Sequence, residues 1–507
     1  MALRCGAVRL GLVVGLWLGL ASVAGAGELG VVSVAPTPRL VTAPVNSSIT
    51  VQFDRPVDRA TVVARRSFWA FGRWSGAADG TFQYSDGDAT VTLVPDRPFS
   101  AGESVMVILA DSLAGTDGST LQAGGFSFQF WTRTAPVGLD FTEVQRFSTR
   151  TTPGETSRAY GGVATDFDGD GHLDLAIVNE DTDDVRVFPG RGDGSGTFEP
   201  MLTPTGVGAV PSPSEPGDFN ADGFADLALA NTQGSSVSIL LGDGAGGFTN
   251  HQLIGVGVRP RGLAVLDADG DGDLDVANSN HDSDSISVLL NDGNGVFGAP
   301  SFFGTGTGGE WALAAGDMDE DGRLDLVVGE QDSEIIVTYT ADGDGTFTRG
   351  TPQSSGGPVW MLVLGDVNGD GHEDVAAANS FDNNGAILLG DGLGSFAAPS
   401  THTTDPFPLA TDLGDLDGDG DLDWVTASFQ GDWRLFRNDG GSFVFDREFD
   451  ATIAASCSLA FDADGDGDLD LALIDELEDE VIILTHPQNP GFVFADGFES
   501  GDTSAWF

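Results

Sequence analysis

Asp267-Ala268-Asp269-Gly270-Asp271-Gly272-Asp273-Leu274-Asp275 is the stretch on which the reading of this 507-residue chain turns. Carboxylates stand at its positions 1, 3, 5 and 9, and glycine stands at position 6. The pattern Asp-x-Asp/Asn-x-Asp-Gly-x-x-Asp starts again at Asp166, Asp218, Asp317, Asp366, Asp415 and Asp462. With Asp267 in its place, the intervals are 52, 49, 50, 49, 49 and 47 residues. Seven copies at near-constant spacing mark a repeat architecture, in which each unit needs its neighbours to bury a core.

Residues 262–303 illustrate one unit. An apolar strand, Gly262 to Leu266, leads into the acidic loop, and a second short strand runs on to Ser279. After a polar loop, a third strand covers Ser285 to Leu290, and the Asp-Gly-Asn-Gly turn at 292–295 leads to a fourth from Val296 to Phe303. Asp-Gly pairs supply the positive φ angles of tight hairpins. Four antiparallel strands in a unit of about 45 residues is the size of one propeller blade. A fourth-strand phenylalanine follows the first six loops, at Phe198, Phe248, Phe297, Phe347, Phe396 and Phe443. The seventh unit ends instead at Val481 to Leu484 and Pro487, whereas a matching segment, Phe141 to Ser148, precedes the first loop. The N-terminal segment is therefore predicted to complete the seventh blade, a closure that removes open sheet edges.

These residues resemble the FG-GAP/VCBS repeat, the blade of the integrin α-like propeller and its bacterial relatives. The resemblance covers residues 141–487 and implies a seven-bladed β-propeller. It says less about function, because a propeller is a scaffold that hosts many activities.

The loops predict metal sites. Ca²⁺ takes six to eight oxygen ligands, and carboxylates at alternate positions of a loop that wraps back on itself can converge on one ion. The candidate ligands are Asp166, Asp168, Asp170 and Asp174; Asp218, Asn220, Asp222 and Asp226; Asp267, Asp269, Asp271 and Asp275; and Asp317, Asp319, Asp321 and Asp325. Three further sets follow: Asp366, Asn368, Asp370 and Asp374; Asp415, Asp417, Asp419 and Asp423; and Asp462, Asp464, Asp466 and Asp470. Up to seven Ca²⁺ sites are expected. Without an ion, each close pair of carboxylates repels by about 1–4 kcal/mol. Position 12 lacks the glutamate of an EF-hand, and strands rather than helices flank the loop. His172 and His372 fall at position 7, where the main chain serves as ligand, so both are expected to be exposed.

Charge sets further bounds. The chain carries 78 acidic and 22 basic residues, for a formal charge of −56, and every basic residue is arginine. Nucleic acid is excluded as a partner, since phosphate binding needs clustered positive charge. The imbalance begins near residue 140: residues 27–140 hold 11 acids and 8 arginines, residues 141–507 hold 67 and 12. Residues 1–26 read as a secretory signal peptide, with Arg4 and Arg9 before an apolar run and Ala24-Gly25-Ala26 at its end; an N-terminal membrane anchor is the alternative reading. Export to the cell surface or beyond is the expectation, with no later apolar run near the ~20 residues of a spanning helix. Cys457 then has no intrachain partner.

Residues 27–140 alternate in β fashion, as in Ile49 to Phe53, Ala89 to Leu93 and Val105 to Leu109. Phe53-Asp54-Arg55-Pro56-Val57-Asp58 and Pro98-Phe99-Ser100-Ala101-Gly102-Glu103 resemble the bacterial Ig-like domain, which implies a small β-sandwich serving as a spacer or adhesion module. The fold class is all-β throughout. Residues 488–507 fall outside the repeats and read as either a sorting segment or a frayed end.

No His-Glu-x-x-His or Gly-x-Ser-x-Gly motif is present, and calcium accounts for the repeat aspartates. A binding protein for an extracellular protein or glycan is therefore expected. A carbohydrate-active enzyme such as a propeller-type polysaccharide lyase is the competing reading. Six residues before each loop stand Tyr160, Ser212, Arg261, Trp311, Trp360, Leu409 and Ser456. These positions begin the innermost strands on the face away from the loops. Tyr160, Arg261, Trp311 and Trp360 are the candidate ligand contacts there, with packing between blades the plainer role for the same side chains.

Overall fold

The computed structural model describes residues 27–122, 124–304 and 308–487. The expected signal peptide and C-terminal tail lie outside the described residues. Among those residues every regular element is a β-strand or a short 3-10 turn.

From Thr142 onward the strands form seven sheets. Each sheet runs outward from an innermost strand: Ala159–Thr165, Pro211–Gly217, Pro260–Leu266, Glu310–Gly316, Val359–Gly365, Pro408–Gly414 and Ala455–Phe461. Successive innermost strands pack side by side around the molecule, and the seventh returns to contact the first. The second strand of each sheet starts at the position-9 aspartate and is buried along its whole length, as in Asp275–Asn280. The apolar cores lie between neighbouring sheets; Leu266, Val276 and Ile286 of the third pack with Leu313, Leu326 and Val337 of the fourth.

Strand Thr142–Ser148 pairs antiparallel with Glu480–Thr485, joining Ile482 to Arg146 and Val481 to Phe147. The segment before the first loop thus completes the last sheet, as the strand count predicts. One expectation needs correction. The fourth strand of the third sheet spans only Ser301–Phe303, and Phe297 makes an isolated bridge to Asn291. Its backbone is engaged elsewhere: Gln252 of the preceding sheet accepts from Phe297 N at 2.7 Å and donates to Phe297 O at 2.9 Å. Gln145 holds Phe198 in the same way, at 2.6 and 3.0 Å. Gln353 accepts from Phe396 N at 2.6 Å.

The N-terminal domain is a sandwich of two four-stranded sheets closed over Ile49, Val51, Phe68, Val107, Phe128 and Phe130. It is not held off as a spacer. It lies across the propeller face that carries the acidic loops. Trp69 Nε1 donates to Gly272 O at 2.9 Å, Ser127 N to Gly322 O at 2.6 Å and Val137 N to Asp417 O at 2.9 Å. A Cβ on Gly272, whose φ is +95°, would meet Arg66 O at 1.7 Å, so the position-6 glycine also permits this close approach.

Candidate functional site

The loop begins where an innermost strand ends, and its conformation follows from its side chains. Position-6 glycines have φ between +85° and +100° in all seven loops, a region that favours glycine. In the first loop Asp166 accepts from Gly169 N at 2.8 Å and Gly171 N at 3.0 Å, folding the backbone around its carboxylate. Asp168 and Asp170 each accept from the amide two residues on. The position-9 aspartate has a further role that the repeat pattern did not reveal. One of its oxygens accepts from the position-2 amide and the other from an amide at or just beyond the end of the third strand. For Asp275 these are Ala268 N at 2.9 Å and Asn291 N at 2.8 Å; for Asp226, Phe219 N at 2.8 Å and Gly242 N at 2.7 Å.

The donor set fits a hard cation. One carboxylate oxygen each from Asp166, Asp168 and Asp174 lies within 4.8 Å of the others, and the same holds for Asp317, Asp319 and Asp325. In the third and sixth loops the clustered groups are Asp267, Asp269 and Asp271, and Asp415, Asp417 and Asp419. Asp319 Oδ1 and Asp415 Oδ1 are buried without a hydrogen-bond partner, which is costly for a carboxylate unless a cation meets it. Burial pushes the pKa of Asp174 up to about 7, and those of Asp325 and Asp423 up to about 8, with neighbouring aspartates adding to the rise. His372 is not free at its exposed edge: its Nδ1 lies 2.6 Å from Glu320 Oε1, which raises its pKa.

The N-terminal domain supplies positive charge to this face. Arg39, 4% exposed, lies 3.3 Å from Asp317, 3.7 Å from Glu320 and 4.0 Å from Glu373. Arg66 pairs with Asp273 at 3.0 Å, and Thr134 Oγ1 donates to Asp415 Oδ2 at 2.9 Å. Arg39 and Arg66 of the nearly neutral domain thus face the acidic loops of the other, whereas Arg55 and Arg59 pair within their own domain.

At the opposite mouth of the central channel the four candidate contacts converge. Trp311 and Trp360 have ring centroids 4.3 Å apart, and Arg261 stands 4.5 Å above Trp311. Trp360 Nε1 donates to Tyr160 OH at 2.9 Å, linking the fifth sheet to the first across the mouth. Burial favours packing, the plainer of the two roles, at several of these positions. Trp311 is 4% exposed, and Leu409 and Ser456 are buried as well. The inner strands converge so closely that these side chains pack on each other instead of facing water. Tyr160, Arg261 and Trp360 are half-buried.

A further aromatic cluster lies just outside them, with Phe381 exposed and Phe407 and Phe429 half-buried. Phe407 packs against Trp360 at 5.2 Å and Phe381 at 5.2 Å, with Phe429 at 6.4 Å. Phe381 is 60% exposed and Met361 36%. Phe381 and Phe429 follow second strands, where the loops are otherwise polar; an apolar ring in such a loop is the signal that could have found them. Acids border the mouth on the first-sheet side. Arg158 bonds Glu476 and lies 3.6 Å from Glu180, which burial and the charge of Glu476 push up to about 7.

Comparison with known proteins agrees with this architecture. Segments 166–229, 218–278, 267–328, 317–377, 366–426 and 415–473 match the model of the FG-GAP-like repeat. Residues 27–132 match the bacterial Ig-like domain. Among solved structures, similarity extends to BBS1N in its complex with ARL6DN, at 13% identity and TM-score 0.49, covering 69% of this chain and 98% of that one. An Agrocybe aegerita lectin described as recognising non-reducing terminal N-acetylglucosamine is similar at 17% identity and TM-score 0.43, covering 78% and 93%. A putative 6-phosphogluconolactonase from Bacteroides uniformis is similar at 13% and 0.46, covering 77% and 98%. Likenesses at this level carry no argument about what this chain binds. No curated protein matches it. Among the described residues, no helix is long and apolar enough to cross a membrane.

Proposed function

The chain belongs to the FG-GAP-like repeat family, and on that footing we propose that it is an exported, calcium-stabilised binding protein for an extracellular protein or glycan, without catalytic activity. The ions sit in the acidic loops beneath the Ig-like domain and stiffen the blades from that side. Recognition takes place on the other face, which the Ig-like domain leaves open.

The observation that carries this reading is the aromatic surface formed by Trp360, Phe381, Phe407 and Phe429. It draws on the fifth and sixth sheets, and Phe381 is 60% exposed. Rigid aromatic area suits sugar faces and protein hot spots. The acids nearby and the strongly negative propeller favour a neutral glycan or a basic protein patch over an anionic polymer.

A glycan and protein array probed with the intact chain, in calcium and in chelator, tests the reading. Phe381→Ala together with Phe407→Ala should abolish the captured signal while the melting temperature stays within a few degrees. Replacing Trp311 would be a poor test, because emptying so buried a site costs about 3–5 kcal/mol by itself. Undiminished binding by the double variant would remove the aromatic surface from consideration.

A further inference from the structure

The central channel contains a partly enclosed chamber. Its wall is made by the seven innermost strands; Phe71, Trp74 and Met106 of the Ig-like domain line one end, and Tyr160, Trp311 and Trp360 line the other. The cavity measures about 280 Å³. That is near the lower bound of the ~300–1,000 Å³ typical of small-ligand sites. A metabolite-sized molecule fits; a polymer does not. Much of the wall is apolar, with Leu263, Leu313, Leu362 and Leu409 facing inward.

One cation on this wall is left uncompensated. Arg73, at the Ig-like end, pairs with Glu215 at 3.1 Å. Arg261, at the other end, makes no ion pair among the described residues. Its one hydrogen bond there is a long one, from Nη1 to Ser212 Oγ at 3.4 Å, and its Nε is buried with no partner. The acids closest in charge interaction are committed elsewhere: Glu180 lies 3.6 Å from Arg158, and Asp282 lies 2.7 Å from His281 and 3.4 Å from Arg259. Burial lowers the Arg261 pKa by more than the neighbouring acids raise it. Stacking on Trp311 covers one face of the guanidinium and leaves its edge, where the N–H donors lie, unfilled. Tyr160 adds a second donor. Its oxygen accepts from Trp360, so its own O–H remains to be given.

We propose that this chamber binds a small organic carboxylate, its carboxylate held by Arg261 and Tyr160 and its apolar body lying along the leucine-lined channel. A guanidinium fork matches a carboxylate in shape and charge. Glu215 and Asp412, also on the wall, oppose a second negative charge on the ligand. A monoanion with an apolar body is therefore favoured over phosphate or a dicarboxylate. This site goes beyond the surface reading above and shares only Trp360 with it, since Phe381, Phe407 and Phe429 do not line the chamber.

The test uses the intact chain in calorimetric titration and thermal shift, with benzoate and hexanoate compared with benzamide, hexanamide and sulfate. Either carboxylate should bind saturably, raise the melting temperature and perturb tryptophan fluorescence, while its amide binds at least about tenfold more weakly, as a lost charge-assisted hydrogen bond requires. Arg261→Met should abolish carboxylate binding. Because it removes a half-buried charge that has no ion partner, it should leave the ligand-free melting temperature nearly unchanged or higher. Should that variant fail to fold, Tyr160→Phe keeps the ring and removes only the hydroxyl, and should weaken binding about fivefold or more. Amides binding as tightly as carboxylates, sulfate binding as tightly as benzoate, or no carboxylate binding at all would each overturn the proposal. Phe381→Ala should leave carboxylate affinity unchanged whatever it does to surface binding, so failure of one site is distinguishable from failure of the other.

Discussion

Asp275 shows how much one residue does in this fold. It opens a fully buried strand, ties the acidic loop to the end of the third strand through two backbone amides, and faces the other carboxylates of its loop. Asp275→Asn keeps the shape but offers a single acceptor oxygen where two amides need acceptors. The expected cost is about 1–3 kcal/mol, the penalty for one buried unsatisfied donor, readable in urea unfolding. An unchanged midpoint would mean the clip is dispensable. The pH response follows from the same aspartates. An unfolded-chain aspartate titrates near 4, whereas burial lifts Asp325 and Asp423 to about 8 and Asp470 to about 9. A folded pKa above the unfolded one adds stability that is full at low pH and is lost as pH rises through the folded value. In chelator, the protein should therefore melt higher at about pH 5.5 than at about pH 8.5. Calcium needs ionised ligands, so the loaded protein should show the opposite trend, and the two melting curves should converge in acid. Chelated protein melting at the same temperature across that range would contradict the desolvation of these groups.

At the scale of the element, the strand Thr142–Ser148 matters most, because it joins the start of the propeller to its end. It does so twice: by pairing with Glu480–Thr485 and by sending Gln145 to grip Phe198 of the first sheet. Deleting residues 141–150 should destabilise the whole ring by more than the loss of a linker could. Gln145→Leu alone should cost about 1–3 kcal/mol by leaving Phe198 N without its acceptor. Guanidinium unfolding measures both, and a deletion that melts like the parent would refute closure by this strand. The sequence disclosed the strand because Phe141 to Ser148 matches a segment missing after Asp462, so a count of units exposes the gap. It did not disclose the glutamine grip. A lone glutamine on an outer strand carries no periodic signal, and only the register that brings Gln252 beside Phe297 gives it meaning. Trp311 is a similar case. An aromatic at the start of an inner strand is compatible with a surface or with packing, and the width of the mouth decides between them. The position and backbone turn of the acidic loops were legible because carboxylates at alternate positions and one glycine are local features. The clip made by the position-9 aspartate was not, because its second amide lies at or just beyond the end of another strand. The surface around Phe407 was not, because its members come from different sheets.

For the whole molecule, the placement of the Ig-like domain has the widest consequence. Charge marked the boundary near residue 140, yet nothing local in the chain records that Arg39 would reach Asp317 or that Trp69 would bond Gly272. With the domain seated on the loops, unfolding of the propeller should carry the Ig-like domain with it, giving one dominant transition in place of two. Among the described residues, it also leaves the opposite mouth uncovered by the Ig-like domain. Calcium bound in the loops would add its binding energy to folding, because the site is absent from the unfolded chain. The decisive measurement is the calcium content of the purified chain by mass spectrometry, paired with its calorimetric melting temperature before and after chelation. Several ions per chain are expected, up to seven, with a chelation-induced drop of many degrees that added calcium reverses. Less than one ion per chain, with a melting temperature indifferent to chelator, would contradict it.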